Sequence, residues 1–158
     1  MKVLDACCGG KMFWFDKNNP LTTFCDIRQI DTVLCDNRVF RIQPDLIEDY
    51  KQLSFRNNTF DMVVFDPPHL IHAGETSWLC QKYGKLSKQY KDEFRLAFKE
   101  LFRVLKSDGT LIFKWNEDQI KVSEILECSE YNPMFGHKSG KRQNTHWILF
   151  VKNESMLK

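Results

Sequence analysis

At 158 residues, 42% hydrophobic and 28% charged, the chain has the size and composition of one globular domain with a full core, which excludes a disordered or low-complexity protein. A formal charge of +2 does not by itself mark a nucleic-acid binder, so any basic footprint has to be local. No apolar run approaches the roughly 18 residues that span a bilayer, and Met1-Lys2-Val3-Leu4-Asp5 opens no signal segment, so a cytoplasmic location with no membrane association is expected.

The chain opens with Val3-Leu4-Asp5-Ala6-Cys7-Cys8-Gly9-Gly10, a short strand running into small residues and a glycine pair. Met12-Phe13-Trp14-Phe15 follows, and its continuous apolar character predicts the buried start of a helix. Strand, glycine turn and helix together bring a nucleotide-like ligand against bare backbone. The second strand reads Leu21 to Cys25 and ends at Asp26, where dinucleotide-type folds place an acid on ribose hydroxyls. Ile27 to Arg38 shows no clear period. Val39 to Gln43 is the third candidate strand, closed by Pro44-Asp45, and Leu46, Ile47, Tyr50 and Leu53 have a helix-like spacing.

Met62 to Phe65 has the length and the branched or aromatic content of a buried strand, and it stops at Asp66-Pro67-Pro68-His69. Each proline fixes its own φ and lacks an N–H, so ladder pairing must end there. A carboxylate, a carbonyl and a ring therefore project from the end of a strand, the edge where open α/β sheets bind ligands. Ile71 to Lys88 is long for a connection and reads as a lid or binding loop, with Trp78 and Tyr83 as aromatics able to stack on a base. Lys88 to Lys106 is strongly amphipathic, with Tyr90, Phe94, Phe98, Leu101 and Phe102 on one face, and Gly109 is expected to supply the following turn. Thr110 to Trp115 is the fifth strand. A helix over Gln119 to Cys128 and a short segment at Met134-Phe135 precede the last strand, Thr145 to Lys152. Six cysteines (Cys7, Cys8, Cys25, Cys35, Cys80, Cys128) contain no C-x-x-C pair and read as reduced, mostly buried residues. The four histidines lack a ligand spacing, so no metal site is expected.

This arrangement resembles the class I S-adenosylmethionine-dependent methyltransferases over nearly the whole chain. The resemblance implies one domain over residues 1–158, with a Rossmann-like, doubly wound, mostly parallel seven-stranded sheet and one antiparallel strand near the C-terminus. Asp5, Ala6, Cys7 and Gly9 match the loop under the methionine moiety, Asp26 the ribose acid, and Asp45 with Leu46 the adenine contact. The cofactor implied is S-adenosyl-L-methionine. Asp66-Pro67-Pro68-His69 resembles the D-P-P-[YFW] corner of enzymes that methylate amino nitrogens, including adenine N6 and guanine N2. There Asp66 and the Pro67 carbonyl would accept the amine hydrogens, and His69 stands where that group has a stacking aromatic. Pro68, Trp78, Lys114 and His146 are the expected substrate contacts, His146 because it opens the last strand beside the basic loop Lys138-Lys141-Arg142. The expected partner is a DNA or RNA substrate, with a specificity partner or a homodimer supplying target choice. Three other readings stay open: a small-molecule or protein N-methyltransferase, ribose 2′-O-methylation using Lys114 beside Asp66, and a catalytically silent cofactor-binding subunit.

Overall fold

In the computed structural model, which describes residues 1–33, 37–74 and 77–158, nine strands and three α-helices are assigned. Cys35 and two positions of the long connection, Glu75 and Thr76, lie outside the described residues. The strands are β1 (Val3–Asp5), β2 (Thr22–Asp26), β3 (Ile30–Val33), β4 (Val39–Ile42), β5 (Leu46–Ile47), β6 (Phe60–Phe65), β7 (Leu105–Asn116), β8 (Phe135–Ser139) and β9 (Thr145–Val151). The helices are α1 (Trp78–Tyr83), α2 (Tyr90–Val104) and α3 (Val122–Leu126). Seven strands form one sheet in the order β5-β2-β1-β6-β7-β9-β8. β9 pairs antiparallel with both neighbours and the other pairings are parallel, which is the expected sheet with one reversed strand.

From Gly109 onward β7, like the whole of β9, alternates between buried and half-buried residues, the period that strand geometry imposes on a sheet with one well-covered face. On that face Val63, Phe65, Leu111, Phe113, Trp115, Ile148 and Phe150 meet Phe94, Phe98, Leu101 and Phe102 of α2. The rings meet edge-on or tilted, with Phe98 5.5 Å from Phe113 and 5.8 Å from Phe150. Each such ring contributes about 1.5–3 kcal/mol by burial, so α2 is held mainly by this face. Arg103 adds a tether: it pairs with Glu100 and donates to the carbonyls of Leu53 and Phe55, while Glu100 accepts from the Leu53 N–H.

Five expectations are corrected. Met12 to Phe15 forms no helix: Trp14 turns inward onto Phe24, Phe13 reaches Trp147, and Met12 and Phe15 are exposed. Aromatic residues propagate a helix poorly, and the side chains of Asp16 and Asn19 take up nearby backbone N–H groups before Pro20 ends the segment. Val39 to Gln43 is not the third strand of the sheet, because β4 pairs with β3 in a separate antiparallel hairpin. Leu46 to Leu53 is not a helix; Leu46 and Ile47 pair with Cys25 and Asp26, and Asp49 then closes a turn through the Lys51 N–H. Gly109 is not the turn residue after α2. Asp108 holds the positive φ (58°), whereas Gly109 is packed so closely that a Cβ would stand 2.9 Å from the Lys106 carbonyl. The Met134-Phe135 strand runs on to Ser139, into the stretch expected to be a basic loop. No helix among the described residues is long and apolar enough to cross a membrane.

Candidate active site

The parallel strands deliver β1, β2, β6 and β7 to one edge at their carboxyl ends. There the chain leaves β1 through hydrogen bonds from Ala6 N to Val64 O (3.0 Å) and from Cys8 N to Cys25 O (2.8 Å), which fix the start of the glycine loop. Gly9 has φ +49°, a left-handed conformation that a side chain disfavours, and a Cβ there would project into open space. Its N–H donates to Oδ2 of Asp26 (2.9 Å). The loop is thus held open from below with bare backbone uppermost.

A cavity of about 260 Å³ lies over this loop. Cys7, Cys8, Gly9 and Gly10 form its floor, and Asp66, Pro67 and Lys114 form the wall at the ends of β6 and β7. Phe13, Phe40 and Tyr83 supply its aromatic surface, Arg28 and Lys82 its further cations. Lys114 Nζ lies 2.6 Å from Oδ2 of Asp66 and 5.5 and 5.6 Å from the ring centres of Phe13 and Trp147. Two rings and one carboxylate therefore fix the ammonium group in place.

Asp5 is fully buried behind the loop, where its carboxylate accepts from Trp14 Nε1 (2.7 Å) and the Cys7 N–H (3.3 Å). Burial pushes its pKa up to about 7 against these two hydrogen bonds, with the charges of Asp66 and Asp26 adding to the rise. Asp26 is buried too, and both its oxygens are engaged: Gly9 N–H on Oδ2, and the backbone N–H (2.9 Å) and Nε (3.2 Å) of Arg28 on Oδ1. Arg28 also donates to the Gln81 carbonyl (3.2 Å), tying α1 to the end of β2. Burial drives the Cys7 and Cys8 thiols well above the ordinary range and Cys25 up to about 12, so none of the three is a thiolate nucleophile at neutral pH.

The structure brings together Cys7, Gly9, Asp66, Pro67 and Lys114 on one cavity, with Asp5, Ala6 and Asp26 directly behind its floor. Six other expected residues lie off its lining: Asp45, Leu46, His146, Trp78, His69 and Pro68. Asp45 and Leu46 stand at the beginning of β5, not beyond its end; Asp45 instead accepts from the Phe24 N–H (2.9 Å) and lines a neighbouring concavity. Their expected position depended on β4 being the third strand of the sheet. His146 faces the other side of the sheet, its Nε2 2.9 Å from Oε1 of Glu117. That contact, with Lys138 beside it, holds the Glu117 carboxyl down at about 2. The adjacent residue, Trp147, has the opposite strand parity and is the one that reaches Lys114. Trp78 packs near Arg38 and Lys82, outside the cavity.

His69 also turns away, 5.4 Å from the Tyr83 ring and edge-on to Trp115 (6.3 Å). Burial lowers its pKa, which favours the neutral ring. Pro68 is the support for α1, since a Cβ on Gly84 would stand 3.0 Å from its Cγ. Phe13, Phe40, Arg28 and Trp147 were not foreseen as site residues. Trp147 was legible in principle from the alternation of the last strand, because it shares a face with Lys114's partner positions.

No family model matches the chain, and no curated sequence matches it. Solved structures do. A protein of Pyrococcus horikoshii aligns at 18% identity and a TM-score of 0.59 over 96% of this chain and 81% of its own. A TehB-like SAM-dependent methyltransferase of Corynebacterium glutamicum aligns at 17% identity and a TM-score of 0.55, covering 96% and 79%. A Burkholderia thailandensis 1,6-didemethyltoxoflavin-N1-methyltransferase, solved with its substrate and S-adenosylhomocysteine, aligns at 11% and 0.57, covering 96% and 71%. The fold of these proteins and the fold of this chain are the same.

Proposed function

We propose that this chain, which has the fold of S-adenosylmethionine-dependent methyltransferases, moves a methyl group from that cofactor to an exocyclic amino nitrogen of a nucleic-acid base. The observation that carries the reading is the single cavity in which the Asp66-Pro67 corner faces the bare backbone of Gly9 and Gly10. Gly9, Gly10 and the carboxylates of Asp5 and Asp26 would hold the cofactor, and a ribose hydroxyl would take the place of Arg28 on Asp26. The bound cofactor supplies an electrophilic sulfonium methyl.

The chemistry explains the acceptor residues. An exocyclic amine delocalises its lone pair into the ring, so it has to be held and polarised before it can attack. Asp66 Oδ1 and the Pro67 carbonyl would accept its two hydrogens and aim the nitrogen at the methyl carbon, which is catalysis by positioning and electrostatics. Transfer would form the C–N bond as the sulfonium C–S bond breaks, with S-adenosylhomocysteine as leaving group, and the surplus amine proton would pass by way of Asp66 to water. Lys114, held 2.6 Å from Oδ2 of Asp66, fixes the orientation of that carboxylate. Tyr83, buttressed by His69, offers the flat apolar surface that the corner's fourth residue does not.

The test is calorimetric titration and turnover on one pair of proteins. Wild type is expected to bind S-adenosylmethionine, and Asp66→Ala to bind it within about threefold while losing at least ~100-fold in turnover. Absence of binding to the wild type contradicts the cofactor, and full turnover by Asp66→Ala removes the corner from the mechanism. Ribose methylation is the second reading, favoured by the 2.6 Å Asp66–Lys114 contact, and it calls for label on the 2′-oxygen instead of the base.

A further inference from the structure

The chain's small net charge conceals a strong asymmetry around the site. Two further concavities adjoin the first and share Gly10 with it. Lys17, Arg38, Arg41 and Lys82 line one, and Lys11 joins Lys17 and Arg41 in the other. With Arg28 and Lys114, seven Lys and Arg line these three concavities among the described residues, against two acids, Asp45 and Asp66. The remaining described residues are therefore net negative although the whole chain is +2. A charge run on a helix face has no such focus; here the cations converge on a concave surface that leads to the candidate active site.

The β3–β4 hairpin builds this surface. It has its own small core of Phe40, Ile42 and Ile30, and it rests against the glycine loop, with the Arg41 carbonyl 3.6 Å and the Phe40 ring 3.9 Å from where a Cβ on Gly10 would stand. Arg41 is paired with Asp31 at 3.1 Å, but both side chains are about 60% exposed, so a ligand phosphate can compete for it. Beside the cations stand exposed apolar groups: Met12 and Val39 on the lining, and the Trp78 ring within reach of Arg38 and Lys82. Cations that track a backbone, interleaved with exposed rings on which bases stack, are the features of a single-strand nucleic-acid surface.

We infer that the groove between the β3–β4 hairpin and the β1–β2 connection binds the phosphodiester backbone of a single-stranded nucleic acid beside the target nucleotide. This rests on the reading of the Asp66 corner as a base-methylating site, and it names the strand that delivers the base. A groove of this kind recognises the polymer without reading its sequence, because phosphates and ring faces are common to all nucleotides.

The test is fluorescence anisotropy of a labelled 12-nucleotide strand, as DNA, as RNA and as a duplex, at 50 to 300 mM KCl, with and without S-adenosylhomocysteine. Wild type is expected to bind single strands with a steep salt dependence and the duplex at least tenfold more weakly; the DNA and RNA arms tell which polymer is preferred. Lys17→Gln/Arg41→Gln is expected to bind at least tenfold more weakly at 50 mM, with the log–log salt slope smaller by about 1.4. If that double variant melts lower than wild type, Lys17→Gln alone, which breaks no ion pair among the described residues, should still reduce the slope by about 0.7. No single-strand binding at 50 mM, an unchanged slope in the variants, equal duplex binding, or displacement by poly-glutamate of equal charge each overturns the inference. Cofactor binding without strand binding leaves the methyltransferase reading standing and removes the groove. Strand binding without cofactor binding does the reverse.

Discussion

At the scale of single residues, Asp5 would link the proposed cofactor site to protons. Its carboxyl, pushed up to about 7 by burial, is about half protonated at neutral pH in the native state. Its unfolded value is about 3.9, so the native chain binds more protons between roughly pH 4 and pH 7. This group's contribution to stability therefore falls as pH rises through that window and levels off above it. A sulfonium placed nearby favours the ionised form, so binding S-adenosylmethionine at pH 7 should release a proton. S-adenosylhomocysteine, with a neutral sulfur, should release less. Calorimetry in phosphate and in Tris is expected to give different heats for the first ligand and closer heats for the second. Equal heats for both in both buffers would separate Asp5 from the site. The sequence disclosed Asp5, Asp26 and Asp66 through their positions at strand ends, but not that Arg28 covers Asp26. The contact itself spans two residues, but Arg28 also bonds the Gln81 carbonyl of α1, a long-range contact that no local pattern encodes.

At the scale of elements, α1 and the Asp66 corner are fitted to each other. Gly84 closes the helix at φ +77°, and the space for its missing Cβ is taken by Pro68. Gly84→Ala should cost about 1–2 kcal/mol from the left-handed backbone alone, and more if α1 is pushed off Pro68. Urea unfolding measures the first. The second appears as weaker turnover, since Tyr83 and the Arg28–Gln81 contact move with the helix; a variant with unchanged stability and turnover would show that α1 is not seated by this contact. The elements legible in the sequence, β6, α2, β7 and β9, are those whose hydrophobic period is long and unambiguous. β5 was hidden because two residues carry no period, and Leu46, Ile47, Tyr50 and Leu53 are apolar for different reasons: the first two pair at a sheet edge, the last two pack into the core. The hairpin was half legible, since Val39 to Ile42 reads as a strand, but its partner β3 contains Asp31 and Thr32 and is largely exposed.

At the scale of the molecule, a mostly parallel sheet with one reversed strand was legible from the alternating strand–helix series and the closing hairpin, but its strand order was not. Nor was the charge partition, because Lys11, Lys17, Arg28, Arg41 and Lys82 are scattered in sequence and meet only through the hairpin. On the proposed reading the parts are a methyl-donor cavity at the sheet edge, an acceptor corner at Asp66-Pro67, and a cationic approach to both. The most direct check is to incubate the protein with methyl-labelled S-adenosylmethionine and single-stranded DNA, single-stranded RNA, total protein and a metabolite pool, then digest the polymers and identify the labelled product by mass spectrometry. The expected result is label on an exocyclic base nitrogen, N6 of adenine or N2 of guanine, abolished by Asp66→Ala. Label confined to protein or small molecules, or no transfer at all by a protein that binds the cofactor, would contradict it.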